Sequence, residues 1–392
     1  MAQHIETTHL SKSLLYLMAV GAGLVVANNY YNQPLLNLMV QTFEVTEAQV
    51  SKIPLATQLG YAAGLLFIIP LGDKFSRRKI ILIDFIAIVA SLIVTALAPN
   101  LWMLTISSFC VGFASVVPQL FVPMAAQLAS AENRGKAIGI VMSGLLIGIL
   151  GSRFISGMIG DYFGWRFMYY LAAGLMIAYG VILYFKLPDV ATDFKGSYAQ
   201  LMRSLVDIIK TKPEVRIAAL RGGFGFAGFS AFWTTLVFLM ETNFGYGSSA
   251  AGLFGVLGII GALGATLSGK LNDKYDSRKL IYAFTGILML SWIVFEFSAH
   301  SILGLVIGVL LVDFGLQSLH VTNQNIIFTK NPEARNRVNT IYMVGYFIGG
   351  ALGTITGAYA WQHFKWQGVA TTGFAFSLLI LVFQILSNRS GR

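Results

Sequence analysis

The sequence predicts an all-α polytopic membrane protein whose twelve transmembrane helices form two pseudo-symmetric halves of six helices each. Three observations support this prediction. The 392-residue chain is 56% hydrophobic and 11% charged, whereas soluble domains carry about 25% charged residues. Its charged residues cluster between apolar segments of about 20 residues, the length at which a helix crosses a bilayer core. The second half of the chain also repeats the plan of the first.

The apolar segments follow one another along the whole chain. We expect helices, because open sheet edges are not tolerated in lipid and barrel strands would be shorter and would alternate in polarity. The first segment is too long for a signal peptide and lacks a small-residue cleavage pattern, so we expect it to remain as a span. The segments lie near 13–40, 48–70, 79–98, 101–128, 137–159, 164–186, 217–241, 248–268, 279–299, 301–328, 338–360 and 367–387.

The positive charge of the chain lies mostly on one side of the membrane. The formal net charge is +10, but of the 27 Lys and Arg residues only Lys52, Arg166 and Lys365 fall on one side, and Arg153 and Arg221 lie inside spans. The positive-inside rule identifies the other side as the cytoplasm. We therefore predict a multi-pass protein of the cytoplasmic (inner) membrane, with both termini cytoplasmic and the lipid bilayer, not nucleic acid, as its surroundings.

An internal repeat with an offset of 200 to 201 residues relates the two halves. Asp73 and Asp273 begin similar basic loops after spans 2 and 8, and Trp165 corresponds to Trp366. Six spans return the chain to its starting side, so the repeat is parallel. Cys110 is the single cysteine and allows no disulfide within the chain. We predict an N-terminal half at 1–186, a cytoplasmic linker at 187–213 and a C-terminal half at 214–392.

Spans 5 and 11 share a face of small residues that recur every four positions. This spacing places them on one side of a helix, where a neighbouring helix can approach closely. The residues are Gly144, Gly148, Ser152 and Ser156 in span 5, and Gly345, Gly349, Gly353 and Gly357 in span 11.

The two basic loops carry a family resemblance. The second loop keeps four residues of the pattern G-x-L-x-D-R-x-G-R-R, namely Gly269, Leu271, Asp273 and Arg278, and the first keeps Leu71, Asp73, Arg77 and Arg78. Together with the two-half plan, these residues make the chain resemble the major facilitator superfamily over essentially its whole length. The resemblance implies the major facilitator fold, transport by alternating access, and a central cavity lined by spans 1, 4, 7 and 10.

The more local string Ala27-Asn28-Asn29-Tyr30-Tyr31-Asn32-Gln33-Pro34-Leu35-Leu36 resembles bacterial efflux permeases of the drug:proton antiporter type. The chain departs from that type at two places. Ser108 stands where drug antiporters often carry an arginine in span 4, and Arg153 replaces the proline of their G-P-x-x-G-G stretch in span 5. The resemblance therefore implies a transporter more strongly than it implies a drug as its substrate.

Span 10 carries one polar stripe. Asp313, Gln317, His320 and Gln324 lie at i, i+4, i+7 and i+11 and share a helix face. Asp313 lies near mid-membrane, where burial favours a neutral carboxyl that can bind and release a proton. His320 is a second titratable candidate for proton coupling. The alternative is a hydrogen-bonded packing network without a role in transport.

The other three cavity helices contribute further candidates for substrate contact. Span 1 offers Asn28, Tyr31 and Asn32 on one face, with Asn29 and Gln33 beside it, and span 7 offers Phe226, Phe229 and Trp233. Gln119 in span 4 is the repeat partner of His320, next to Pro118 and Pro123, which interrupt that helix. Helix packing and lipid contact are the alternatives for these residues.

Three more charged residues lie within spans. Arg153 could extend to the membrane interface, contact an anionic substrate group or pair with an acid such as Asp313. Arg221 lies about one turn into span 7 and is expected to extend to the interface. Asp84 lies just inside span 3, where we expect it to reach an interface as well.

The loop charges are candidates for a conformational gate. By resemblance, the Asp73 loop braces the cytoplasmic face against span 11, where a carboxylate interacts favourably with a helix N-terminus. Such a contact would favour the outward-open state and break on switching. The gate candidates are Asp73, Arg77, Arg78, Asp273 and Arg278. The alternative is that the basic residues only fix the topology.

These observations favour a monomeric secondary transporter that uses protons and carries a small organic or amphipathic solute, with export as the leading direction. Proton-coupled uptake of a small metabolite is the alternative, followed by a divalent-metal carrier, for which Asp313 and His320 are a minimal ligand pair. A receptor on the same fold that transports nothing is a different class. Nucleotide-binding glycine loops, metalloprotease helices and nucleophile–base strings do not occur, so we predict no enzyme and no cofactor.

Overall fold

The computed structural model describes residues 10–130, 132–190 and 196–390. In this part of the chain, eleven helical stretches are long and apolar enough to cross a membrane. The last of them turns back on itself at Lys365, whose φ of 53° and ψ of −148° are not helical. The stretch therefore crosses twice, and the described chain makes twelve passes.

The helices of the first half have the following bounds. Span 1 consists of α1 (Lys12–Ala27) and α2 (Asn32–Phe43), and span 2 of α3 (Glu47–Val50), α4 (Lys52–Phe67) and α5 (Leu71–Lys74). Span 3 is α6 (Arg77–Leu97), and span 4 consists of α7 (Leu101–Ala114) and α8 (Pro118–Leu128). Spans 5 and 6 are α9 (Arg134–Phe163) and α10 (Trp165–Lys186).

The second half follows after α11 (Tyr198–Thr211), which lies in the predicted linker. Residues 191–195 of that linker lie outside the described part. Span 7 is α12 (Pro213–Phe244), and span 8 consists of α13 (Ser248–Leu253), a 3-10 segment (Phe254–Gly258) and α14 (Ile259–Asn272). Spans 9 and 10 are α15 (Ser277–Glu296) and α16 (Ile302–Lys330). After a 3-10 turn (Pro332–Ala334), α17 (Arg335–Ser390) forms spans 11 and 12 on either side of Lys365.

Two of the spans that were predicted to line the cavity are broken near their middle. In span 4, helix α7 ends at Ala114, four residues before Pro118. In span 1, the break after α1 is followed by α2, and Pro34 lies in the first turn of α2. A proline removes one backbone donor and its ring collides with the carbonyl four residues earlier, which interrupts a helix. Irregular backbone at membrane depth is tolerated where protein rather than lipid surrounds it. Both breaks are buried in the molecule.

The small-residue faces pack as predicted. A Cβ atom at Gly148 would overlap the backbone of Gly23 in span 1, and one at Gly349 would overlap the backbone of Gly223 in span 7. These two contacts are related by the internal repeat. Span 5 therefore packs on span 1 as span 11 packs on span 7, which confirms the predicted close approach.

The two ends of the helix bundle differ. We call the end that holds the Asp73 and Asp273 loops the basic face, and the other end the opposite face. At the opposite face the halves are in direct contact. Gln41 Nε2 donates to Glu241 Oε1 over 3.4 Å, and Trp361 Nε1 donates to Glu47 Oε2 over 2.7 Å. The Asp161 carboxylate accepts hydrogen bonds from the backbone N–H groups of Ser248 and Ser249 at 3.0 and 2.8 Å.

At the basic face the halves are separated. A cavity of about 600 Å³ lies between them. Both halves contribute to its wall, with Asp73, Gln119 and Arg134 on one side and Arg335, Asn339 and Met343 on the other, and Leu201 and Leu205 of α11 also line it. The structure is therefore open toward the basic face and closed toward the opposite face.

Candidate functional site

Arg153 is the centre of the candidate site. It lies ten residues before the end of α9, or about 15 Å from the opposite face. Its side chain is 1% exposed, and its Nε donates to Gln33 Oε1 over 2.7 Å. The guanidinium carbon lies 4.1 Å from the ring centroid of Trp233, 4.7 Å from that of Tyr30 and 5.7 Å from that of Phe229. Arg153 therefore does not extend to the interface but is enclosed by rings from spans 1 and 7.

Asp313 approaches the same centre from span 10. It is 4% exposed, and the positive charge of Arg153 acts on its carboxyl group. Glycines of span 8 let the two residues come close to the 3-10 segment. A Cβ atom at Gly255 would lie 3.0 Å from Arg153 Cβ, and one at Gly258 would lie 3.9 Å from Asp313 Oδ2. The basic residue of the first half and the acid of the second thus lie near the same 3-10 segment and act on each other electrostatically, but no direct ion pair joins them.

Several polar atoms at this centre lack hydrogen-bond partners among the described residues. They are Arg153 Nη2, Asp313 Oδ2 and Trp233 Nε1. In the break of span 1, the Oδ1 atoms of Asn28, Asn29 and Asn32 also lack partners in the described part of the chain. A buried polar group without a partner costs about 1–3 kcal/mol. Such groups in a native structure call for an explanation, and binding of a polar solute is one that suits a central position between two halves.

The polar residues of span 1 point in three directions. Gln33 and Tyr30 contact Arg153. Asn32 Nδ2 instead donates to Thr57 Oγ1 of span 2 over 3.1 Å, and Asn28 Nδ2 approaches Met176 Sδ of span 6 at 3.7 Å. Tyr31 is buried and interacts with Tyr169 of span 6.

The structure therefore directs Asn28, Tyr31 and Asn32 to neighbours other than Arg153. Tyr30 was not among the predicted contacts of Arg153. Tyr30 precedes Gln33 by three residues, and this spacing could have placed both on one side of α2 and the turn before it.

The stripe on span 10 also divides. Asp313 faces Arg153, whereas His320 Nδ1 and the Tyr342 hydroxyl are 2.8 Å apart and share a hydrogen bond. Gln324 Nε2 donates to Asn339 Oδ1 over 3.1 Å, at the wall of the cavity. Gln317 lies beside Gly261 of span 8. The four residues share a helix face but do not converge on one point.

An aromatic layer lies between the Arg153 centre and the cavity. It consists of Tyr61, Phe226, Tyr346 and Phe347, all buried. Tyr61 and Phe347 approach to 4.3 Å between ring centroids, and Phe226 stacks on Tyr346 at 4.2 Å. Phe226 also contacts Phe229 of the centre, and Tyr61 is hydrogen-bonded to Gln119, which lines the cavity. Through Phe229 on one side and Gln119 on the other, the layer connects the Arg153 centre with the wall of the cavity.

Two expectations about charged residues were wrong. Arg221 does not extend to an interface. It is 4% exposed, its Nε donates to Asn323 Oδ1 over 3.0 Å and its Nη1 donates to Gln384 Oε1. Asp84 is 5% exposed and is not at an interface either. In both cases the surrounding protein buries a charged side chain whose position near the end of a span had suggested an interface.

The gate residues lie at the basic face. Arg77 is 3.8 Å from Asp73 and donates to Gln127 Oε1 over 2.9 Å, and Arg78 donates to the Tyr184 carbonyl over 2.7 Å. A pocket of about 410 Å³ lies between Asp73 and the start of span 11. The positive charge of Arg337, in span 11, acts on the Asp73 carboxyl group across this pocket. Asp273 and Arg278 are exposed. The Asp73 loop thus faces span 11 across a gap in this state.

The described residues contain no group of three or more His, Cys, Asp or Glu side chains placed to hold a metal ion. Asp313 and His320 turn toward different neighbours, Arg153 and Tyr342.

Comparison with known proteins gives a consistent picture. A family model described as Major Facilitator Superfamily matches residues 18–354 and 267–391. The uncharacterized transporter YgaY of Escherichia coli O157:H7 is 40% identical over 374 residues, which cover 95% of each chain. A protein of Streptomyces coelicolor named as a probable transporter is 31% identical, over 94% of this chain and 86% of its own. The crystal structure of the nucleoside transporter NupG aligns with a TM-score of 0.76 at 13% identity, over 95% of this chain and 99% of its own.

Proposed function

The chain belongs to the Major Facilitator Superfamily, and on that premise we propose that it moves a small organic solute across the cytoplasmic membrane by alternating access, coupled to protons. The family assignment makes it a multi-pass membrane transporter and not an enzyme. The unequal distribution of Lys and Arg supports a cytoplasmic basic face and cytoplasmic termini. The structure then represents the state that is open to the cytoplasm.

The observation that supports proton coupling is the burial of Arg153 and Asp313, one from each half, close enough for their charges to interact. An ionisable group at membrane depth is costly and marks a functional site more often than a packing position. Here an acid of one half and a base of the other act on each other electrostatically, and we take this centre as the point about which the halves rock. The charge state of Asp313 therefore bears directly on how the two halves are held together.

We propose uptake as the direction, because the solute and Asp313 compete for the guanidinium of Arg153. While Arg153 faces Asp313, its positive charge favours the ionised carboxylate. When a solute occupies the guanidinium, Asp313 loses that support in a dry environment and accepts a proton. Solute and proton then bind together and travel together down the proton gradient. The guanidinium stays in place while the solute replaces Asp313, because it is held by Gln33, Tyr30, Phe229 and Trp233.

Export in exchange for protons is the second candidate, and the string Ala27–Leu36 supports it by resembling efflux permeases. In an exporter, solute and proton exclude each other from the site. The two candidates therefore differ in the sign of a single measurement, the direction in which protons move when the solute moves.

The test uses purified protein in proteoliposomes that enclose a pH-sensitive dye. Compounds that raise the thermal stability of the detergent-solubilised protein are added outside, and solute and lumenal pH are followed together. Uptake with protons acidifies the lumen as solute enters, and exchange makes it alkaline. Asp313→Asn should abolish the pH change. Asp84→Asn, which also removes a buried acid but lies away from Arg153, should retain it.

The same experiment separates the remaining possibilities. If wild-type flux of an identified solute leaves the lumenal pH unchanged, proton coupling is wrong. If Asp313→Asn moves solute and protons as the wild type does, the assignment of Asp313 is wrong. If compounds bind but none crosses the membrane, the protein is a receptor on this fold.

A further inference from the structure

We propose that the Arg153 centre recognises the carboxylate of a flat, apolar monocarboxylic acid, such as an aromatic acid. This inference rests on the proposed function and names the substrate class of the same site. Its basis is the combination of one fixed cation, one acid and an aromatic enclosure at the centre of the molecule. Each of these limits the solute in a different way.

The guanidinium defines the polar group of the solute. A guanidinium presents donors in a rigid planar fork that matches the two oxygens of a carboxylate. Gln33 occupies Nε of Arg153, while Nη2 has no acceptor in the described structure. Trp233 Nε1 is a second buried donor without an acceptor there, and its ring lies against the same guanidinium. Free donors of this kind suit an anionic acceptor and offer nothing to an ammonium group.

Asp313 sets the net charge that the solute may carry. The charged or titratable groups that face it are Arg153 from span 5 and Tyr346 from span 11, with Tyr30 of span 1 close to both. The 3-10 segment of span 8 contributes apolar residues and glycine, and His320 lies two turns away on the same helix. Once Asp313 is protonated, one positive charge remains. That charge is balanced by a monoanion, whereas a dianion would leave an excess negative charge in a dry site.

The enclosure defines the body of the solute. The rings of Tyr30, Phe229 and Trp233 surround the guanidinium, and beyond them the aromatic layer of Tyr61, Phe226, Tyr346 and Phe347 borders the route from the cavity. Aromatic surfaces favour offset stacking with another flat ring. A planar apolar body therefore fits this region better than a sugar with hydroxyl groups in all directions.

The test compares probes of one shape and three charges on the purified full-length protein. The probes are benzoate, benzamide and benzylamine, and their naphthalene counterparts 2-naphthoate, 2-naphthamide and 2-naphthylmethylamine. Binding is measured by calorimetry and thermal shift at acidic and alkaline pH. We expect each carboxylate to bind at least about tenfold more tightly than its amide and amine, a difference that is well resolved in free energy. We also expect carboxylate binding to tighten as pH falls, because Asp313 then holds a proton.

Substitutions test whether the preference for carboxylates arises at the Arg153 centre. Arg153→Gln should remove the preference for the carboxylate, and Arg153→Lys should retain part of it because the charge remains without the fork. Asp313→Asn should bind the carboxylates with little dependence on pH. The matched control is Arg166→Gln, which removes an arginine that also lies over an indole ring, at 4.2 Å from Trp165, but at the opposite face.

The outcomes distinguish this inference from the proposed function. Equal or tighter binding of the amides or amines overturns it, as does carboxylate binding that survives in Arg153→Gln. Failure of both carboxylates to bind the wild type overturns it too. If a neutral or cationic solute is carried with protons, the substrate class is wrong and the proposed function stands. If carboxylates bind through Arg153 but their transport moves no protons, the substrate class is correct and proton coupling is wrong.

Discussion

Trp233 has two roles at the Arg153 centre. Its ring lies nearest to the guanidinium, at 4.1 Å, and its Nε1 is buried without an acceptor in the described part of the chain. A ring over a guanidinium fixes the plane of the fork, and a desolvated contact of this kind contributes about 2 kcal/mol. The orientation in which Arg153 meets a solute or Asp313 therefore depends on this side chain.

We expect Trp233→Leu to weaken solute binding by about tenfold, which corresponds to about 1.4 kcal/mol of that contact. The measurement is the affinity of the best-binding probe by calorimetry, together with the KM for flux. The control is Trp102→Leu, because Trp102 is 75% exposed and faces away from the protein interior. Unchanged affinity in Trp233→Leu would show that the indole does not orient the guanidinium.

At the residue scale, the sequence indicated which side chains were unusual but not how they were grouped. Arg153, Asp313, Phe229 and Trp233 were all singled out from membrane-embedded charge and helical spacing. Asn28 and Tyr31 were grouped with Asn32 on the assumption of a continuous helix. The turn between α1 and α2 changes the direction of successive side chains, so that spacing no longer defines a face.

Arg221 illustrates a second limit. Its partners Asn323 and Gln384 lie 102 and 163 residues away along the chain. No local sequence pattern predicts contacts between residues so far apart along the chain. These contacts bury Arg221, which was expected at the interface.

At the element scale, the close contact of spans 1 and 5 depends on the absence of side chains. Gly148 meets the backbone of Gly23, and the repeat places Gly349 on Gly223 in the same way. In a membrane, helices associate through van der Waals contact rather than through a hydrophobic driving force. A methyl group inserted here separates two helices along their length, and Arg153 follows on the same helix, about one and a half turns beyond Gly148.

We therefore expect Gly148→Ala to destabilise the protein by about 1–3 kcal/mol, the usual cost of overpacking, and to lower the thermal unfolding temperature in detergent. Gly139→Ala is the control on the same helix, because a Cβ atom there would meet nothing within 4 Å. It should leave stability unchanged or raise it slightly, since alanine is the better helix former. Equal effects of the two substitutions would contradict the role assigned to this contact.

The elements themselves were largely predictable. Apolar length and the repeat gave twelve spans, and Pro118 indicated the break in span 4. Pro123, which was also expected to interrupt that span, lies inside α8. The small-residue spacing identified the packed faces of spans 5 and 11. The 3-10 segment of span 8 was not anticipated, because its glycines are equally compatible with a regular membrane helix. It forms where that segment packs against Arg153 and Asp313, so its shape depends on tertiary contacts.

At the scale of the whole molecule, the structure shows one end of an alternating-access cycle. The halves touch at the opposite face and enclose a cavity of about 600 Å³ at the basic face. The sequence predicted the two halves but held no information on which face is closed, because that depends on weak contacts between residues of different halves. Gln41 with Glu241 and Trp361 with Glu47 are such contacts. Both are polar contacts, and they lie beside the close packing of span 5 on span 8 at Gly157.

This arrangement predicts that locking the opposite face stops transport. In a Cys110→Ser background, the pair Gln41→Cys and Glu241→Cys should react with a short reducible bifunctional thiol reagent, since the native side chains are 3.4 Å apart. Flux in proteoliposomes should fall to the background level and return when the cross-link is reduced.

The complementary pair is Asp73→Cys with Arg337→Cys, which the pocket of about 410 Å³ separates in the present state. These residues should cross-link only when the basic face closes, so locking the opposite face first should suppress the reaction between them. If the molecule rocks about the Arg153 centre, each cross-link excludes the other. If both form together in one molecule, or if the cross-linked 41–241 pair still carries solute, the two faces move independently and the meeting of Arg153 with Asp313 does not couple them.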